Sequence, residues 1–458
     1  MKRALATLLL ILGLAWASCG DDGSSHGDAQ VGSDGAAGQC TAPAAPVMPE
    51  IPVNIAASTA ETVRSYRRWN LIGNALTQGE DTLAITLVAP SGAQCLDLWI
   101  GTAFVGRFPV EGAEQVLEAD LSSLGPGRYQ VLVAAVGGAV TMAIAQLDVF
   151  RSHPYYVLVT NDWDDSGKTP EIVEREELLH ANHPHLKLTH FVGPYTFTDP
   201  ALTTAEVDEL VTWLLGMREQ YGDEIGLHVH PYCHFVQTTA VPCRVSPSFV
   251  WAEDPEGYTV VLGSYTQAEA EILFQRAKDL FLGHGLGAPT SFRAGGWTAE
   301  IHTLAALAAT GFVADSSALN WSRLEEWQGV GTATLYEWNQ SHWATIDATS
   351  QPYYPSAIDI LDDSPPVLPI LEVPDNGVMV DYVTDDEIVE LFEANWPGEV
   401  LHRPTTYVTG YHPGSYLNYD RYMEDGLTAI DQFLHAEDAG PVIYETVSNM
   451  ALVWPVPE

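Results

Sequence analysis

Tyr155-Tyr-Val-Leu-Val-Thr-Asn-Asp-Trp-Asp-Asp165 is a short apolar, β-branched run that ends abruptly in three carboxylates, Asp162, Asp164 and Asp165. A continuous apolar run fits a strand buried on both faces of a parallel sheet. In barrel enzymes the chemistry gathers at the C-terminal ends of such strands. Carboxylates two apart on extended chain point the same way, so one can hold a metal while the other stays free as a base. The plain alternative is an acidic, solvated turn. Against it stands a second strand end, Glu224-Ile-Gly-Leu-His-Val-His-Pro-Tyr-Cys-His234. It offers His228, His230 and His234, ligands that borderline divalent metals prefer.

Around these two segments the sequence alternates between strand and helix. Thr203-Thr-Ala-Glu206 fits a capping box, followed by an apolar helical face of Val207, Leu210, Val211, Leu214 and Leu215, with Gly222 at the C-cap position. Thr266-Gln-Ala-Glu269 opens a second helix in the same way, with Ile272, Leu273, Leu280 and Phe281 on one face. An Ala/Leu-rich helix is expected over 299–310. Further strands are expected at Phe312-Val-Ala-Asp315, Ile370-Leu-Glu-Val373, Thr405–His412 and Val442–Val447. Repeated βα units imply a parallel sheet, and this many imply a barrel or most of one. The expected fold class is therefore α/β, a distorted (β/α) barrel over 152–458.

The part before it reads differently. Residues 51–151 hold short strands separated by Gly, Pro and Ser, with no convincing helix and no histidine, which points to a smaller all-β, Ig-like sandwich. A spacer or a weak sugar-binding module both fit it. Residues 20–50 are Gly, Asp, Ser, Ala and Pro, too polar to fold, and read as a disordered tether. Residues 1–19 read as a signal peptide: Lys2 and Arg3, then an apolar run from Leu5 to Trp16 that is short for a bilayer span. Trp16-Ala-Ser-Cys19 is lipoprotein-like, with plain cleavage after Ala17 as the other reading. Export to the cell envelope or the outside follows, with membrane contact only through a lipid on Cys19. Without Cys19 four cysteines remain, an even number that suits an oxidising compartment. Proximity favours Cys233–Cys243, leaving Cys40–Cys95.

Charge narrows the partners. Sixty acidic side chains against 19 basic ones give a formal net charge of −41. Such a surface repels nucleic acid and anionic lipid, which bind through Lys and Arg. A neutral or cationic partner fits better.

Five motifs now stand in order: Asp162-Trp-Asp164, Glu224-Ile-Gly-Leu-His228, Phe292-Arg-Ala-Gly-Gly-Trp297, Asp315-Ser-Ser and Gly410-Tyr-His-Pro413. Together, each near an expected strand end, they resemble the polysaccharide deacetylases, carbohydrate esterase family four, over roughly 154–458. The resemblance implies one divalent metal, most often Zn2+, and an acetylated glycan as substrate. It makes Asp162 the catalytic base, Asp164 a metal ligand, His228 the first histidine ligand, Arg293 the partner of the base and His412 the general acid. The family's second histidine follows four residues after the first; that position is Tyr232 in this chain. His230, two residues from His228 on the same strand side, is the expected third ligand, and His234 is the alternative. Trp163 and Trp297 lie inside motifs and are expected to line the substrate cleft.

The resulting expectation is a metal-dependent hydrolase removing acetyl groups from an N-acetylated, or else O-acetylated, glycan. Two alternatives stay open: a hydrolase of the same fold acting on a non-sugar amide, and an inactive glycan-binding surface protein. His180, His183, His185 and His190 crowd one region but do not converge on the motifs, and read as structural. The stretches Trp338–Trp343 and Tyr353–Pro355 are candidates for a sugar-stacking platform, with burial in the core as the competing reading.

Overall fold

The computed structural model describes residues 40–327 and 333–457. The expected leader over 1–19 and the tether from 20 to 39 lie outside the described residues. Among the described residues no helix is long and apolar enough to cross a membrane.

Eight parallel strands form the sheet that carries the site. Their order is Leu371–Glu372, Ala314–Asp315, Ser291–Ala294, Glu224–Val229, Leu188–Val192, Tyr155–Asp162 and Thr405–Tyr411, with Val442–Tyr444 also paired to Tyr155–Asp162. Every residue of Tyr155–Asp162 is buried, as a barrel strand is when helices cover its outer face and side chains fill the interior. The sheet curls until its ends meet. After Leu371–Glu372 the chain runs alongside Thr405–Tyr411: Gly377 N donates to Val408 O at 2.8 Å and Val380 N to Gly410 O at 2.9 Å. The fold is thus a distorted (β/α) barrel, closed by an irregular segment where a regular strand would stand.

The helices start where the sequence says they should. Capping boxes open Thr204–Tyr221 and Gln267–Gly283, and Gly222 ends the first at φ 79°. The buried face of Gln267–Gly283 is Ala270, Leu273, Phe274, Ala277, Leu280 and Phe281. Ile272, expected on that face, is exposed, because it lies one position off the row that Leu273 and Ala277 define.

Residues before the barrel form two further sheets. One has three strands in the order Val63–Tyr66, Thr82–Val88, Glu114–Asp120. The other has five, in the order Trp69–Leu71, Val140–Ser152, Gly127–Gly137, Cys95–Ile100, Ala103–Pro109. Leu83, Ile85 and Leu87 of the first pack with Leu96, Leu98, Val131 and Val133 of the second. A short helix, Ile55–Thr62, was not legible in the sequence; it is fastened by Ser58 Oγ donating to Ile144 O at 2.7 Å. Disulfides join Cys40 to Cys95 and Cys233 to Cys243, the pairing that proximity favours.

Candidate metal centre and active site

Asp162 is the last residue of its strand and Asp164 follows through a tight turn, Asp164 N donating to Asp162 O at 3.1 Å. Asp164 lines the cavity at the C-terminal mouth of the barrel, Asp162 lies buried below it on Arg293, and Trp163 between them is buried. Its indole Nε1 donates to Asn161 Oδ1 at 3.2 Å, its carbonyl accepts from the Tyr195 hydroxyl, and the Lys168 ammonium sits 4.3 Å from its ring centre.

Asp164 Oδ1 lies 3.2 Å from His228 Nε2 and 3.1 Å from His230 Nε2. The three ligand atoms all fall within 4.8 Å of one another. The other ring nitrogens are spoken for: His228 Nδ1 donates to Arg293 O at 3.0 Å and His230 Nδ1 to Tyr258 O at 2.7 Å. With each Nδ1 donating to a main-chain carbonyl, both rings turn Nε2 toward the same Asp164 oxygen. That convergence is repulsive unless the rings are protonated or a cation lies between them. Two imidazoles and one carboxylate, with room for further ligands, are a donor set that suits zinc or a similar divalent ion. Burial pushes the Asp164 carboxyl up, but the His412, His230 and His228 rings outweigh it and hold it well below the usual carboxylate range.

Arg293 forms the floor. It is fully buried, and its Nη1 reaches Asp162 Oδ1 at 3.2 Å and Thr160 Oγ1 at 2.8 Å. Nε donates to Ser316 O and Nη2 to Ser316 Oγ, both at 2.8 Å. The Asp315-Ser-Ser motif is therefore a cradle for the arginine. Behind it, burial raises the Asp315 carboxyl to about 6, and burial together with the Asp315 charge raises Glu372 well above its ordinary value.

His412 stands on the other side. Its Nδ1 lies 2.8 Å from Asp381 Oδ2, and its Nε2 lies 3.9 Å from Asp164 Oδ2. Burial alone would lower its pKa, but Asp164 and Asp381 outweigh that and raise it to about 10. In the metal-free protein the ring therefore carries a proton at neutral pH. The cavity over these groups has a volume of about 450 Å³ and is lined by Asp164, Asp165, Tyr232, Tyr258, Tyr382 and His412 among others. A second hollow of about 330 Å³ shares Asp381, Tyr382 and Tyr419 with it, so the two form one trough.

Six expected residues thus meet in one place: Asp162, Asp164, His228, His230, Arg293 and His412. Two other expectations, Trp163 and Trp297 as lining of the substrate cleft, are corrected. Trp163 and Trp297 are 1% and 3% exposed and do not line the cleft. Trp163 packs beneath the loop it belongs to. Trp297 donates from Nε1 to Asp375 Oδ2 at 3.0 Å and sets its ring edge-on to His412, with centroids 6.1 Å apart. His234 lies in the short helix Cys233–Val236 with Nδ1 3.0 Å from Thr198 Oγ1, outside the cluster. The proposed aromatic platform is largely core, since Trp343 and Tyr354 are buried. His180 and His190 both face Asp223 Oδ2, at 2.9 and 3.0 Å, and are structural.

Tyr258, Asp381 and Asp375 escaped the sequence reading. Each comes from a loop with no motif of its own. The one available signal was Asp254-Pro-Glu-Gly-Tyr258, a turn composition inside the long segment between the histidine strand and the next helix.

No family model matches the sequence, and no curated protein matches it. Solved structures do resemble it. A protein of Mycobacterium smegmatis described provisionally as a polysaccharide deacetylase is 14% identical, with 65% of this chain and 89% of that one covered and a TM-score of 0.38. A family 4 carbohydrate esterase from Streptomyces lividans is 13% identical, covering 67% and 100%, with a TM-score of 0.33. A 4-alpha-glucanotransferase from Thermococcus litoralis is 10% identical, covering 66% and 40%, with a TM-score of 0.37. Likeness at this level does not fix an activity, and the chemistry has to be read from the site's own residues.

Proposed function

We propose that this protein is a metal-dependent hydrolase that removes acetyl groups, with the amide of an N-acetylated glycan as the preferred bond. The observation that carries this reading is the placement of an arginine-held carboxylate, Asp162, and an aspartate-held histidine, His412, beside an Asp-His-His cluster. Held by Asp164, His228 and His230, a divalent ion such as Zn2+ would polarise the acetyl carbonyl and acidify a water molecule. Asp162 takes the proton of the attacking water, and Arg293 keeps that carboxylate in place. His412, oriented by Asp381, gives a proton to the departing nitrogen as acetate leaves. Asp381 fixes the ring so that Nε2 faces the cavity.

The substrate follows from charge. Asp164, Asp165 and Asp381 line the cavity, and the chain carries a net −41. Neutral or amino-bearing glycans suit such a site better than polyanions, and the deacetylated product gains positive charge. The trough toward Tyr419 leaves room for sugars beside the reacting one. Export is part of the proposal, supported by the leader composition and by the two disulfides.

Acetate release by the zinc-loaded protein from N-acetylated oligosaccharides, O-acetylated glycans and simple N-acetyl amides tests the reading. Turnover confined to the N-acetylated glycans supports it. Turnover only on simple amides assigns a non-sugar substrate. Glycan affinity without turnover on any of them makes the protein a binding module.

A further inference from the structure

Tyr258 belongs to no strand of the barrel. It sits in a turn-rich hairpin whose arms meet at an antiparallel bridge between Val250 and Val260. Three separate contacts nevertheless tie it to the Asp-His-His cluster. Its hydroxyl donates to Asp164 Oδ2 at 2.8 Å, its main-chain carbonyl accepts from His230 Nδ1 at 2.7 Å, and its ring stacks on the His230 ring with centroids 4.2 Å apart and planes 18° from parallel.

The hairpin is held firmly enough to matter. Tyr258 N donates to Asp254 Oδ2 at 2.7 Å, and Cys233 N donates to Glu256 O at 2.7 Å. Gly257 adopts φ +97°, and a Cβ there would lie 2.6 Å from Pro231 O, the carbonyl next after His230. Only glycine allows so close an approach. The disulfide Cys233–Cys243 anchors the chain directly behind.

We propose that Tyr258 is the positioning residue of the metal centre, acting on two ligands at once. Its carbonyl keeps the His230 proton on Nδ1 and so keeps Nε2 free to coordinate. Its hydroxyl engages the outer oxygen of Asp164 and leaves Oδ1 facing the two imidazoles, so that the carboxylate would hold an ion through one oxygen. Groups that orient metal ligands in this way govern affinity and coordination. The proposal rests on the reading of Asp164, His228 and His230 as a metal centre.

The test uses the full chain, stripped of metal and titrated with zinc against a chromophoric chelator, and separately loaded with Co2+ for visible absorption. Tyr258→Phe removes only the hydroxyl. It is expected to weaken zinc binding by roughly 10–100-fold, to change the Co2+ spectrum toward the weaker absorption of a higher coordination number, and to leave the melting temperature of the metal-free protein unchanged. Gly257→Ala, which displaces the carbonyl, is expected to weaken zinc binding as well. Wild-type zinc affinity together with a wild-type Co2+ spectrum in Tyr258→Phe would overturn the proposal. Failure of the wild-type protein itself to bind either metal would instead overturn the metal-centre reading beneath it.

Discussion

His412 Nδ1 lies 2.8 Å from Asp381 Oδ2, with the Ser415 hydroxyl donating to the other oxygen of the same carboxylate. The aspartate therefore fixes both the orientation of the ring and its charge. Replacing it with asparagine keeps the shape and removes the charge. Asp381→Asn is expected to lower kcat by on the order of 10²-fold with little change in zinc affinity. Losing a neighbouring anion lowers the pKa of a cationic acid, so the alkaline limb of the kcat–pH profile should move to lower pH. Profiles of the two proteins check this.

Asp162 is within reach of Arg293 and is not one of the three clustered ligands. Asp162→Asn should therefore cost on the order of 10²–10⁴-fold in rate while zinc stoichiometry, read by elemental analysis, stays at the wild-type level. Near-wild-type turnover would remove Asp162 from its role.

Much of this site could be read from the sequence, because strand ends were legible. Asp162 and His228 each follow a β-branched or apolar run, and the register that pairs His228 with Arg293 brings those two side by side. Alternation put His230 on the same side as His228. What failed was direction: Trp163 and Trp297 share motifs with the clustered groups, yet both are buried, Trp163 just past its strand and Trp297 in a tight turn where its own φ is 56°. Tyr258 and Asp381 were invisible for another reason. Tyr258 reaches Asp164 across 94 positions and Asp381 reaches His412 across 31, and no local periodicity encodes such loop contacts.

Lys168 and Glu176 form an ion pair with side chains 1% and 0% exposed, the ammonium lying 4.3 and 4.6 Å from the ring centres of Trp163 and Trp213. Burial lowers the Lys168 pKa to about 8 even against the pull of Glu176. Removing one partner strands the other charge. Lys168→Met should cost about 3–5 kcal/mol, and adding Glu176→Leu should restore part of it. Urea denaturation of both variants checks the cycle.

His183 gives a pH dependence of known sign. Burial lowers its pKa, but Asp431 and Glu424, at 2.7 and 3.2 Å, outweigh that and raise it. A raised histidine stabilises the fold fully below its unfolded pKa of about 6.5 and loses that contribution as pH climbs through the folded value. Above about pH 6.5 the folded state binds more protons than the unfolded one, so stability falls with rising pH. His183→Gln should be less stable than wild type near pH 6, with the gap closing in alkaline buffer, as read by denaturant midpoints.

The most direct measurement is acetate release from an N-acetylated oligosaccharide by the chelator-stripped protein, titrated with zinc, beside His230→Ala. Activity that rises from zero and saturates at one zinc per chain, and is lost in the variant at the same zinc concentration, is the predicted result. Activity that is indifferent to chelation, or a variant that responds to zinc as the wild type does, would contradict the account.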